Sequence, residues 1–261
     1  GLLRIRPPRL HGQSRIVVPR ALVDEYVRYA HRGADAAHPG VAGTMFRLSE
    51  IAWWPTMRAD VERSVRNCLD CQTFRAVPPN AELGQPEAVL RRYERVHLDW
   101  APIEPATSGE TGVMLLVDAA TGFCVLVPAR DKTTASAIKA LEHLFAVAGG
   151  VPETLRTDDA KEFTSDEMKA FLDKNGIKLE SGSAYNQRSN GVAERMVGRV
   201  KKQLLRDCRD ARSEWPTKID ATARALNNTY SPVRGAAPAT LMTGLSRTAM
   251  GLWFGMLPTE E

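Results

Sequence analysis

Two kinds of hydrophobic periodicity divide the chain. In 56-TMRADVERSVRN-67 the apolar residues Met57, Val61 and Val65, continued by Leu69, recur three to four apart, which predicts a helix. A second helix is expected over roughly 40–50. Val27, Phe46, Leu48, Ile51, Trp53, Trp54 and Val61 are the candidate core of this first part. Residues 72–95 carry no sustained period, and Pro78, Pro79, Gly84 and Pro86 mark a linker over about 76–92. Beyond it the pattern turns strand-like in 95-RVHLDWAPI-103 and again in 113-VMLLVDAATGFCVLVPAR-130, where 119-AATG-122 reads as a turn between two strands. A helix follows over 133–150, with Ile138, Leu141 and Phe145 on one face and glycines at its end. A strand at 153–158 precedes a helix at 164–176, opened by Thr164 and Glu167 as a capping box and closed at Gly176. A last strand at 177–182 leads through a polar loop into a basic helix, whose Val192, Met196, Val200 and Leu204 share one face. Five strands, the later ones alternating with helices, predict an α/β domain: a mixed sheet flanked by helices.

Composition adds only bounds. A chain of 261 residues holds one large domain or two smaller ones. We divide it into a basic extension (1–20), a helical domain (21–75), a linker (76–92), the α/β domain (93–248) and a tail (249–261). The hydrophobic fraction of 43% and charged fraction of 25% suit a globular protein, and the net charge of +4 is compatible with a polyanionic partner without requiring one. No run approaches the roughly 18 apolar residues of a membrane span, and 1-GLLRIRPPRLHG-12 lacks the apolar stretch of a secretory leader. The opening glycine suggests a fragment or a processed piece of something longer. Arg4, Arg6, Arg9, Arg15 and Arg20 make the extension either DNA-facing or a solvated basic tail.

Four cysteines are too few and too scattered for a disulfide framework. Cys124 in an apolar strand and Cys208 late in a helix read as structural thiols. Cys68 and Cys71 form a CxxC at the end of a helix, whereas redox chemistry expects that motif at a helix start. His31 and His38 lie upstream with six residues between them. Two imidazoles and two thiolates close a tetrahedral Zn2+ site, leaving no position for a substrate. Zinc also suits a small core, since binding contributes about 10–16 kcal/mol of apparent energy to folds of this kind.

The second domain carries candidate chemistry in its acidic residues. Asp99 lies mid-strand, Asp158 at a strand end, and Glu194 on the basic helix, with 35 residues between Asp158 and Glu194. If they converge, their mutual repulsion calls for divalent cations, and oxygen ligands favour Mg2+ or Mn2+. Asp118 is the other strand carboxylate, and its setting, feeding the turn 119–122, reads as structural. His97 beside the strand reads as an ordinary satisfied histidine, with a supporting role near Asp99 as the alternative.

These segments together resemble the integrases of retroviruses and LTR retrotransposons, and gypsy-type elements most of all. The His/Cys set with 53-WWPTMRADVERSVRNCLDCQ-72 resembles that family's zinc-binding domain. The pieces 98-LDW-100, 156-RTDDAKEF-163 and 185-YNQRSNGVAER-195 resemble its three acidic motifs, and 224-RALNNTYSPVRGAAPATLMTG-244 its closing segment. The resemblance, over roughly 20–245, implies an RNase H-like core and Asp99, Asp158 and Glu194 as catalytic ligands of two Mg2+ or Mn2+ ions. It implies 3′-end processing of element DNA followed by strand transfer into a target, through in-line phosphodiester displacement. By matched position, Tyr185, Asn190 and Lys201 would touch DNA, with a packed tyrosine and a solvated lysine as the plain alternatives. It further implies release from a larger polyprotein, action in the nucleus, and assembly as a homo-oligomer from dimer to tetramer.

The chain departs from the family pattern in places. Asp158 is followed by Asp159 and Ala160 instead of Asn-Gly, so Asp159 competes with it as a candidate ligand. Gln187 stands where proline is usual, and Gly198 where retroviral relatives tend to have lysine. Two other functions therefore stay open: a cut-and-paste DNA transposase with an integrase-like core, and a catalytically silent DNA-binding descendant.

Overall fold

The computed structural model describes residues 3–5, 14–33, 36–73, 91–181, 191–208 and 212–244, with backbone alone at 181 and 191–195. The chain divides into two compact units, one of residues 1–77 with 228–261 and one of residues 78–227.

The first unit is helical, with a small sheet. Strands β1 (Arg4–Ile5), β2 (Arg15–Val17) and β3 (Ala52–Trp53) form the sheet in that order, β1 antiparallel and β3 parallel to β2. Helices α1 (Val23–Arg32), α2 (Val41–Ser49) and α3 (Met57–Arg66) pack on one another, and the short α4 (Leu69–Thr73) follows α3. Val23, Val27, Leu48, Trp54, Val61 and Val65 fill the core. Ile16 and Val18 are buried with this unit, so its structure begins inside the segment read as a basic extension. Leu69 is 70% exposed, against the helical pattern, because α3 stops at Arg66 and α4 restarts the phase. Trp53, expected in the core, is 36% exposed. Phe46, also expected there, stacks on Tyr230 at 4.3 Å between ring centroids, and Thr229 Oγ1 donates to the Ala36 carbonyl. Contacts of this kind group residues after Asn227 with the zinc-bearing unit, whereas the sequence reading ran the α/β domain to 248.

The second unit is built on five strands: β4 (Arg95–Pro102), β5 (Gly112–Asp118), β6 (Cys124–Ala129), β7 (Thr154–Thr157) and β8 (Lys178–Ser181). Their order is β6-β5-β4-β7-β8. The first three are antiparallel, and β7 and β8 run parallel to β4. Every residue of β5 is buried, as expected for a strand covered on both faces. One face meets α5 (Thr134–Ala148), α6 (Lys161–Thr164) and α7 (Asp166–Lys174) through Val96, Leu98, Met114, Leu116, Leu141, Leu155 and Phe163. By the two-residue alternation of strands, His97 and Asp99 face the other side. There α8 (Gly191–Asp207) packs on β4 and β5, with Met196, Val200 and Leu204 buried, while α9 (Ile219–Asn227) covers β6. Helix α10 (Pro238–Thr243), the last described element, belongs to the first unit.

Local chemistry sets several boundaries. Helix α5 starts at Thr133, whose hydroxyl accepts the Ser136 N–H, and ends at Gly149 in the left-handed region. The cap of α7 is Ser165, not Thr164. The Ser165 hydroxyl accepts the Met168 N–H at 3.2 Å, while the Thr164 hydroxyl turns back to the Ala160 carbonyl inside the unexpected helix α6. Gly112 is required by close approach: a Cβ there would lie 2.4 Å from the ring of Trp100.

Candidate metal and carboxylate sites

The four donors expected to bind zinc come together. His31, His38, Cys68 and Cys71 each offer one ligand atom, all within 4.8 Å of one another. His31 Nε2 lies 3.3 Å from Cys71 Sγ, and His38 Nδ1 lies 3.4 Å from Cys68 Sγ and 3.7 Å from Cys71 Sγ. A tetrahedral ion with sulfur at ~2.3 Å and nitrogen at ~2.0 Å requires nitrogen–sulfur separations of about 3.5 Å. The set therefore fits Zn2+.

Neighbouring groups fix which ring nitrogen faces the sulfurs. His31 Nδ1 donates to the Pro39 carbonyl at 2.9 Å, leaving the Nε2 lone pair for the metal. That carbonyl is also held by the Thr44 hydroxyl at 3.1 Å. His38 Nε2 faces Asp70 Oδ2 at 3.7 Å, directing Nδ1 toward the sulfurs. Ala37 and His38 both adopt positive φ, 52° and 49°, an uncommon backbone for residues with a Cβ. The tight loop between α1 and α2 carries that strain while presenting His38.

Below this module the unit is tied by a buried carboxylate. Asp60 accepts from Thr56 Oγ1 at 2.6 Å, Arg20 at 2.9 Å and Trp54 Nε1 at 3.0 Å, and it also pairs with Arg63. Burial pushes its pKa up, but the hydrogen bonds from Thr56, Trp54 and Arg20 and the Arg20 charge outweigh that and hold it well below the usual carboxylate range.

In the second unit, the register of β4 against β7 runs Arg95↔Thr154, Val96↔Leu155, His97↔Arg156. Two further steps bring Asp99 level with Asp158, which immediately follows β7. Continued past the end of β7, that register would set Asp158 on the face of Asp99, which α8 covers. Asp99 Oδ1 accepts the Trp100 N–H at 2.7 Å. Asp158 Oδ1 accepts the Ala160 N–H at 3.3 Å, and its Oδ2 lies 3.6 Å from Lys132 Nζ. Glu194 belongs to α8, its side chain outside the described residues, as are Tyr185 and Asn190 altogether. Lys201 is half-buried on the same helix and lines a cavity of ≈ 200 Å³ with Leu204, Cys208 and Trp215.

Two further carboxylates, Asp118 and Asp159, are the rivals for this role. Asp118 is 2% exposed and accepts from the Tyr93 N–H, the Thr121 N–H and the Thr121 hydroxyl, which accounts for it as the organiser of the β5–β6 turn. Asp159 is exposed. His97 is buried on the face of Asp99. Cys124 is fully buried, and burial pushes its thiol up to about 12, consistent with a core thiol.

Residues 18–77 match the family model of the integrase zinc binding domain, and residues 90–187 that of the integrase core domain. The chain carries an integrase zinc-binding domain and an integrase core domain. Homologues of these domains occur in the Pro-Pol polyproteins of foamy viruses. That of simian foamy virus type 3 is 29% identical over 236 residues, 89% of this chain and 20% of the polyprotein. That of simian foamy virus type 1 is 31% identical over 232 residues, 88% of this chain and again 20% of the polyprotein. The chain thus spans about a fifth of these relatives. Gypsy retrotransposon integrase-like protein 1 of Bos taurus is 24% identical over 209 residues, 78% of this chain and 41% of that protein. Among solved structures, the HTLV-2 integrase catalytic core domain in complex with magnesium superposes with a TM-score of 0.50 at 20% identity, covering 59% of this chain and 98% of that one. That likeness establishes the RNase H-like fold of the integrase core. Among the described residues, no helix is long and apolar enough to cross a membrane.

Three supporting residues of the integrase domains were missed from the sequence. Asp70 lies inside the CxxC and was open to recognition as a partner for a metal-bound histidine. Thr44 and Lys132 carry no such local signal, because their partners are set only by tertiary folding.

Proposed function

We propose that the chain is an active integrase, processing the 3′ ends of retroelement DNA and joining them to a target by direct displacement at phosphorus, without a covalent enzyme intermediate. The observation that supports this most is the β4–β7 register, which aligns Asp99 and Asp158 on the sheet face where the helix of Glu194 packs. In this reading the three carboxylates hold two Mg2+ or Mn2+ ions, for which an all-oxygen donor set is suited. Bound there, such ions supply Lewis acidity that activates the attacking oxygen and stabilises the leaving one.

The chain's own residues hold the carboxylates ready. The Trp100 N–H holds one oxygen of Asp99 and the Ala160 N–H one oxygen of Asp158, whose second oxygen faces Lys132, so both carboxylates are oriented by their surroundings. Two of the three sit on or at the end of rigid strands, which limits the reorganisation needed at the moment of reaction. Tyr185, Asn190 and Lys201 are assigned to DNA. The zinc module is structural, since four protein donors leave no open position. Joining two ends in concert requires more than one catalytic core, hence a dimer or tetramer. Action on chromosomal DNA places the protein in the nucleus after release from a polyprotein.

The test is incubation of purified protein with Mn2+ or Mg2+ and labelled duplexes bearing the ends of its own element. Shortened and joined products are expected, and both should vanish with Glu194→Gln and with a chelator. DNA binding without either product, under either metal, would contradict the proposal.

A further inference from the structure

The β6–α5 junction carries a cation that the integrase reading leaves unused. Lys132 Nζ lies 3.6 Å from Asp158 Oδ2 and 4.9 Å from the centroid of the Phe163 ring. Its sequence neighbour Asp131 is already engaged, accepting the hydroxyls of Thr133 and Ser136 at 2.7 Å each at the start of α5, while the lysine faces Asp158. The junction is also tied to the segment that follows Asp158. The Thr134 hydroxyl donates to the Glu162 carbonyl at 2.9 Å and lies 3.0 Å from the Ser165 hydroxyl. Phe163 is fully buried, which fixes the ring under the ammonium. Lys132 therefore stands at a set position beside Asp158.

We propose that Lys132 is a positioning residue that acts through Asp158 as a built-in counter-cation, occupying the carboxylate before a divalent ion arrives and weakening that ion's binding. The inference rests on Asp158 being a metal ligand. A divalent cation at Asp158 must displace the ammonium from Oδ2 and then tolerate a like charge held nearby by Phe163. Both effects oppose metal binding, and both are Coulombic. The Lys132 side chain is 27% exposed and that of Asp158 42%, so the pair is partly solvated and its strength is that of a surface pair. Such a pair shifts a binding constant roughly two- to fivefold and fades as salt rises. The arrangement lowers affinity in exchange for a carboxylate that stays in place without metal.

The experiment titrates zinc-loaded protein with Mn2+ alone, following free Mn2+ by electron paramagnetic resonance. The samples are wild type, Lys132→Met, Lys132→Arg and Asp158→Asn, each checked for unchanged zinc content and melting. At low salt Lys132→Met should bind Mn2+ roughly two- to fivefold more tightly than wild type. Lys132→Arg should behave as wild type, and the difference should shrink below twofold in about 1 M KCl. A purely structural lysine would leave affinity unchanged or lower it, and that result, with the site lost in Asp158→Asn, overturns the counter-cation role alone. If Asp158→Asn binds Mn2+ as wild type does, the assignment of Asp158 as a ligand fails, and the role of Lys132 fails with it.

Discussion

Asp60 illustrates how single side chains hold the zinc-bearing unit. Its carboxylate joins the segment before α1, through Arg20, to Trp54, Thr56 and Arg63 around the start of α3. Because folding lowers its pKa, the unfolded chain binds the proton more readily, so the stabilisation is complete above the ordinary carboxylate range and lost as pH falls below it. Asp60→Asn should cost about 2 kcal/mol at pH 7, since buried donors lose a charged acceptor. The gap between wild type and variant in urea melts should narrow between about pH 5 and pH 3; a constant gap would contradict the assignment. At this scale the sequence was most legible where the chemistry is local. His31, His38, Cys68 and Cys71 were readable because the donors of a tetrahedral site are few and closely spaced. Lys132 was not, because its partners Asp158 and Phe163 lie 26 and 31 positions away and meet it only through packing of α5 on α6.

At the scale of elements, the outer edge of β6 shows how α9 completes the sheet. Asn227, the last residue of α9, accepts the Cys124 N–H and donates to the Cys124 carbonyl, both at 2.8 Å, so a side-chain amide replaces a neighbouring strand. Asn227→Leu strands two buried backbone groups and should cost about 2–4 kcal/mol. Chemical denaturation of the variant tests this, and a loss under 1 kcal/mol would contradict it. The strands were legible because β5 is a continuous apolar run and β4 alternates. The boundaries were less so. Thr164 and Ser165 are both competent caps, and the choice between them is made by α6, a single helical turn too short to leave a period of its own. Likewise Leu69 falls in phase with α3, but the chain breaks at Asn67 to deliver Cys68 to the metal.

At the scale of the whole molecule, two units each bury their own core, one around α1–α3 and one around the five-stranded sheet. The small core around α1–α3 is expected to need its metal to stay folded, and the sheet unit to fold without zinc. Cys71→Ser should release zinc and abolish one calorimetric transition while the transition of the sheet unit persists. Loss of both together would contradict this. The partition itself was only partly legible: the proline-rich stretch after Cys71 marks a change of unit, but nothing in the periodicity of 228–244 assigns Thr229 and Tyr230 to the zinc-bearing side, because that assignment is made by stacking on Phe46.

As proposed, Asp99, Asp158 and Glu194 form one divalent-cation site. Anomalous diffraction at the manganese edge from crystals soaked in Mn2+ probes that site itself. Anomalous peaks are expected within coordinating distance, about 2.0–2.3 Å, of carboxylate oxygens from all three residues. Peaks at Asp118 or Asp159 instead, or none among these carboxylates at saturating Mn2+, would contradict it.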